Sequence, residues 1–116
     1  MKTLFILNDA PYGSERTYNG ARLAGALARH EDNEVRVFLI GDAVAAAHRQ
    51  QKVPSGFYNL EAMLGSVVSH SGVIGACGTC MDARGITVED LMTGTHRSSL
   101  DELTQWTVWA DKALVF

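Results

Sequence analysis

The strongest constraint on the fold is a repeated alternation between short apolar runs and helical patterns. "KTLFILN" from Lys2, "EVRVFLI" from Glu34, "VIGAC" from Val73 and "ALVF" from Ala113 are brief and rich in β-branched or aromatic residues, and read as strands. The first and third are nearly continuous in hydrophobicity, as expected of central strands covered on both faces. Residues 15 to 29 behind Ser14, a candidate N-cap, carry Tyr18, Ala21, Leu23, Ala24 and Leu27 in a helix-compatible pattern. Asn59 caps a cleaner amphipathic helix, with Leu60, Met63, Leu64, Val67 and Val68 on one face. Ser99 stands three residues before Glu102, a capping-box spacing, and Leu100, Leu103, Trp106, Thr107 and Ala110 follow on one face.

Shorter features fill the intervals: a short helix near Ala43, a loop "QQKVPSGFYN" broken by Pro54 and Gly56, and a capped turn at "TVEDLM". A fifth short strand at Gly94 to Arg97 is suggested but not secured by pattern alone. Strands alternating with helices imply parallel βαβ units, hence a three-layer α/β/α sandwich of Rossmann-like or flavodoxin-like type around a mainly parallel sheet of four to five strands. With 116 residues, 47% of them hydrophobic, and no repeat, low-complexity stretch or linker, residues 1–116 are expected to form one domain that folds without a staple.

The first apolar run ends at Asn8 and Asp9, too soon for a signal sequence, so a cytoplasmic protein with no membrane span is expected. Formal net charge is -3 and the basic residues are scattered, which argues against direct nucleic-acid binding. In a reducing cytosol the only two cysteines, Cys77 and Cys80 of "GVIGACGTCMDARGI", read as metal-binding or reactive sooner than as a structural disulfide.

Three readings of that pair compete. Structural zinc needs about four ligands. No second cysteine pair exists and His30, His48, His70 and His96 are dispersed, so only a site shared between subunits would serve, and no metal or cofactor is expected within one chain. A reactive dithiol needs a first cysteine activated at a helix start, where Arg84 would help and Asp82 would oppose. The third reading is two small buried hydrophobes at a strand end. Ligands of parallel sheets bind outside the strand carboxyl ends. "NDAPYGSE" after the first strand would therefore lie at the same end of the sheet as the cysteines, with Asn8, Asp9, Tyr12 and Ser14 as candidate wall residues. Turn and cap roles account for Asn8, Asp9 and Ser14 without any function. Phe57 and Tyr58 fit an interface or a lid, and Trp109, off the buried face of its helix, fits a subunit contact.

Taken in order along nearly the whole chain, "NDAPYGSE", "VFLIGDAVAAA", "CGTCMDARGI" and "LTQWTVWADKALVF" resemble the DsrE/DsrF-like family, and most closely its YchN-like members. The resemblance implies an α/β fold of five parallel strands, homohexameric assembly and sulfur handling through a cysteine persulfide. It aligns Cys77 with the relay cysteine of members that carry sulfur for tRNA thiolation or sulfur oxidation. Cys80 departs from those relay members, though YchN-like proteins share the pair, and becomes a candidate resolving thiol. Sulfur-donor and sulfur-acceptor proteins are the implied partners. A carrier of this kind is not by itself an enzyme, because it turns sulfur over only with a donor and an acceptor. The competing expectations are a non-catalytic oligomeric binding or assembly module with inert cysteines, and a zinc-binding oligomer.

Overall fold

The computed structural model describes residues 1–55 and 57–116; the Gly56 loop breaker lies outside the described residues. Five parallel strands, β1 (Lys2–Leu7), β2 (Glu34–Leu39), β3 (Val73–Cys77), β4 (Thr95–Ser98) and β5 (Lys112–Val115), form one sheet in the order β4-β3-β2-β1-β5. The segment that pattern alone left open is therefore the edge strand β4. It reads poorly as a strand because "THRS" is polar, a composition that suits an edge.

Helices α1 (Arg16–Ala28), α2 (Leu60–Ser69), α3 (Gly78–Ala83) and α4 (Leu100–Trp109) connect the strands, with 3-10 turns at Gly41–Ala47 and Val88–Asp90. Chain direction across the sheet explains which face each helix covers. From β1 to β4 the chain steps one way and then returns in a single move from one edge to β5 on the other. Right-handed crossovers place the helices of the outward steps on one face and α4 on the opposite face.

Side chains alternate accordingly. Phe5, Leu7, Val37, Leu39, Ile74 and Ala76 enter a large core with α1, α2 and the first 3-10 turn, whereas Leu4 and Phe38 meet Trp106 of α4 in a smaller one. Phe38 and Trp106 pack edge to face with ring centroids 6.1 Å apart.

The caps at Asn59 and Ser99 form as their sequences indicate, accepting from the NH groups of Ala62 and Glu102. Glu102 does not complete a capping box; its carboxylate turns to Ser98 and His96. Thr87 and Asp90 do make a full one around the short turn. Ser14 is not the cap of α1: Glu15 holds that position without a side-chain bond, while the Ser14 hydroxyl donates to Asp9 at 2.8 Å. The buried stripe of α1 also differs from the one its larger residues suggest. Thr17, Gly20, Ala21, Ala24, Gly25 and Ala28 face inward, and Leu23 is exposed. Close approach is the reason, since a Cβ on Gly20 would lie 2.4 Å from Leu7 Cδ2.

Candidate functional site

Cys77 has two structural roles at once: it ends β3, and it occupies the N-cap of α3. Its sulfur accepts from the backbone NH of Cys80 at 3.4 Å, lies 3.4 Å from the Thr79 hydroxyl, and accepts from Cys80 Sγ at 2.7 Å. Burial alone would push the Cys77 thiol up. The hydrogen bonds from Cys80 and Thr79 outweigh it and hold the thiol below its usual range. Cys80 behaves oppositely. Burial and its bond to Cys77 raise its pKa, and the NH of Gly41, 3.2 Å from Cys80 Sγ, offsets only part of the rise. In the bond between them Cys77 accepts and Cys80 donates, although Cys80 Sγ also accepts from the Gly41 NH, and both thiols are free and half-buried.

Charges around the pair are matched locally. Arg84 donates through Nε and Nη2 to Asp42, at 3.1 and 2.7 Å, and through Nη1 to the Cys80 carbonyl at 3.0 Å. Asp82 is held by both terminal nitrogens of Arg97, at 2.8 and 2.9 Å, so its charge is balanced beside the cysteines. Arg97 reaches it by crossing the first turn of α3, where a Cβ on Gly78 would stand 2.7 Å from the guanidinium carbon. The "RG" after the cysteines also has a local structural task. Gly85 takes φ +66, and the NH groups of Gly85 and Ile86 bond back to Asp82 and Met81, closing α3 in a Schellman motif.

Sheet order separates the other candidate residues from the pair. β2 lies between β1 and β3, so the Gly41 turn that follows it, rather than the loop after β1, touches Cys80. Asn8 bonds through its backbone NH and Nδ2 to the Phe116 carbonyl, at 2.9 and 3.1 Å. Asp9 accepts from Ser14 and lies 3.8 Å from Arg16, and its carbonyl accepts from Thr17. The Tyr12 hydroxyl donates to Gln51 and accepts from the NH of Leu60, locking its loop to the start of α2. Of Asn8, Asp9, Tyr12, Ser14 and Arg84, Arg84 alone makes a hydrogen bond to either cysteine among the described residues.

The residues that sequence reasoning missed are Gly41, Thr79 and Arg97. Thr79 was readable as a hydroxyl inside the cysteine motif; Arg97 was hidden by the weak signal of β4.

Cys77 lines a cavity of about 360 Å³ on the α4 side of the sheet, between the ends of β2, β3 and β4. Phe38, Ile40 and Leu100 supply its apolar lining, and Thr79, Ser98 and Arg97 its polar lining. Among the described residues no three His, Cys, Asp or Glu side chains gather as a metal cluster, so a metal on this pair would take further ligands from outside the chain. No described helix is long and apolar enough to cross a membrane.

Fold and site together define a parallel α/β protein with a hydrogen-bonded cysteine pair at the carboxyl edge of its sheet. The model of the DsrE/DsrF-like family matches residues 1–116, and the chain belongs to that family, which is associated with sulfur relay. Protein YchN of Escherichia coli strain K12 is 44% identical over 116 residues, covering 99% of this chain and 98% of YchN. The crystal structure of that bacterium's YchN superposes with a TM-score of 0.92 at 43% identity, over 99% of this chain and 98% of that one. The uncharacterized protein MJ0989 of Methanocaldococcus jannaschii is 34% identical over the full length of both chains.

Proposed function

We propose that the protein is a cytoplasmic sulfur carrier that accepts sulfane sulfur as a persulfide on Cys77 and passes it on. The observation that carries this reading is the geometry at Cys77, a residue that lines a cavity while its sulfur receives hydrogen bonds that favour its thiolate. The thiolate attacks the outer sulfur of a donor persulfide, forming Cys77–S–SH and releasing the donor as a thiolate. An acceptor thiolate then removes that sulfur in the same manner.

Cys80 acts as the resolving thiol. Its attack on Cys77 Sγ would form the Cys77–Cys80 bond, break the persulfide bond and release hydrogen sulfide. An external dithiol must then reduce the disulfide before another cycle. The 2.7 Å separation of the sulfurs supports this assignment, and the attack requires Cys80 to give up its proton as hydrogen sulfide leaves. Donor and acceptor proteins, and assembly as a homo-oligomer, in particular a homohexamer, belong to the same proposal. The exposed Leu100, Val108 and Val115 on the α4 side are consistent with assembly.

Native and denaturing mass spectrometry before and after a persulfide donor tests the reading on wild type, Cys77→Ser and Cys80→Ser. The expected result is a gain of sulfur on Cys80→Ser, a gain of sulfur or the Cys77–Cys80 bond on wild type, and neither on Cys77→Ser. No gain in any form overturns the carrier reading. Zinc bound in the native spectrum would favour the metal reading instead.

A further inference from the structure

The lining of the Cys77 cavity bears on which donor it admits. At about 360 Å³ it lies near the lower end of small-molecule sites, which run from roughly 300 to 1,000 Å³. Phe38 and Ile40 from β2 and its end, together with Leu100 at the start of α4, present hydrocarbon towards the side of the sheet that Cys77 faces. Arg97 is the one charged residue on the lining, and both its terminal nitrogens are already engaged by Asp82.

A bidentate pair of this kind is close to neutral seen from the cavity, so it offers an incoming anion little attraction. Two negative groups stand nearby. A Cys77 thiolate is one; the other is Glu102, whose carboxylate accepts from the Ser98 hydroxyl of the lining at 2.5 Å. Burial would raise Glu102, but its bonds from Ser98 and His96 prevail and keep it ionised. His96 pairs with that carboxylate and Arg36, stacked on Trp106 and Trp109, also acts on it, so the Glu102 charge is partly offset and a Cys77 thiolate is the main negative charge at the cavity. Electrostatics therefore disfavours an anionic donor, and the apolar lining rewards a hydrocarbon one.

We infer that the cavity admits a small organic persulfide with an uncharged, apolar tail as a direct sulfur donor to Cys77, alongside the donor proteins. This rests on the carrier reading above and adds a second class of donor. In the step, the Cys77 thiolate forms a bond to the outer sulfur of R–S–SH and the R–S bond partner leaves as R–S⁻, taking a proton from solvent. One sulfur–sulfur bond is made and one broken, and no outside oxidant or reductant enters. The tail occupies the apolar side of the cavity, placing the reacting sulfur beside Cys77.

Rates of Cys77 loading, read as gain of sulfur plus formation of the Cys77–Cys80 bond, are measured by mass spectrometry with three donors: benzyl persulfide, carboxymethyl persulfide and inorganic hydrogen disulfide. Benzyl persulfide is expected to load wild type about tenfold faster than either of the others, the size of effect that a few buried methylenes produce. Leu100→Asp at the exposed rim is expected to lose most of that advantage. Equal or faster loading by the carboxylate or tailless donor overturns the inference while leaving the carrier reading intact.

Failure of every donor overturns the carrier reading, and a second measurement then isolates the cavity. Benzyl methyl sulfide, which has no sulfur to transfer, is expected to slow alkylation of Cys77 by iodoacetamide in wild type and less so in Leu100→Asp. Absence of protection in wild type overturns the proposed binding of an apolar tail.

Discussion

On one side of the sheet, α1, α2 and the Gly41–Ala47 turn bury Phe5, Leu7, Val37, Leu39, Leu60 and Leu64 completely; on the other, α4 alone covers Leu4 and Phe38 with Trp106. The thick side has small residues where helix meets strand and a cavity of about 490 Å³ between α1 and α2, whereas the thin side has the Phe38–Trp106 pair over the sheet and the cavity that Cys77 lines. The difference follows from topology, because three outward crossovers pile helices on one face and the single return crossing leaves the other sparsely covered. Stability is concentrated on the thick side, while the opening beside Cys77 exists because the thin side is incomplete. Cys77, at the end of β3, touches both cores and is held by the first while facing the second.

Truncating the two sides should separate these roles. Leu64→Ala, in the thick core, is expected to cost about 2–5 kcal/mol in chemical denaturation and to leave sulfur gain on Cys77 intact in the folded fraction. Equal loss of stability from Leu100→Ala, at an exposed position beside the cavity, would break the comparison. Gly20→Ala tests the close contact of α1 with β1. Overpacking against Leu7 and Phe116 should cost about 1–3 kcal/mol, and a neutral result would show that the thick side can yield.

A smaller effect is expected from Tyr12→Phe. Loss of the hydroxyl that joins Gln51 and the Leu60 NH should cost about 0.5–1.5 kcal/mol without changing the rate of sulfur gain. A slowed rate at unchanged stability would return Tyr12 to the wall of the site.

Alkylation against pH sharpens the difference between the two thiols. The depressed Cys77 pKa means that its thiolate, and hence its reaction, appears at lower pH than for an ordinary thiol, and Cys80 follows only at higher pH. Cys80→Ala removes a donor to Cys77 and should move the Cys77 profile upward. Mass mapping of the modified peptides would detect a reversed order.

The smallest effect is local to the thin side. Glu102, lowered by Ser98 and His96 against its burial, lends stability that is present above the unfolded carboxylate pKa of about 4.3 and is lost as pH falls through the lower folded value. Trp106 fluorescence should respond in that acid range before far-ultraviolet circular dichroism does, and Glu102→Gln should abolish the early response.

Much of this architecture was legible because hydrophobic period and capping chemistry are local. The strands at Lys2, Glu34 and Val73, the Asn59 helix and the Ser99 cap all announce themselves within a few residues. β4 was nearly silent because an edge strand of Thr, His, Arg and Ser has little apolar surface to bury. α1 misled on its buried face because distance to Leu7, and not side-chain size in isolation, decides which residues point inward. At the site, Cys77 and Cys80 were visible as a pair, but Gly41 lies 39 residues from Cys80 and Arg97 lies 15 from Asp82. Such pairings have no local signature.

By itself, then, the chain's order of residues determined a parallel α/β class, the positions of most elements and the cysteine pair as the centre of interest. Only the tertiary structure decided that β2 stands between β1 and β3, which sets the Gly41 turn against Cys80 and leaves Asn8, Asp9, Tyr12 and Ser14 to other partners. It also decided that the Cys77 thiol is lowered and the Cys80 thiol raised, because burial and bond direction depend on where distant segments come to rest.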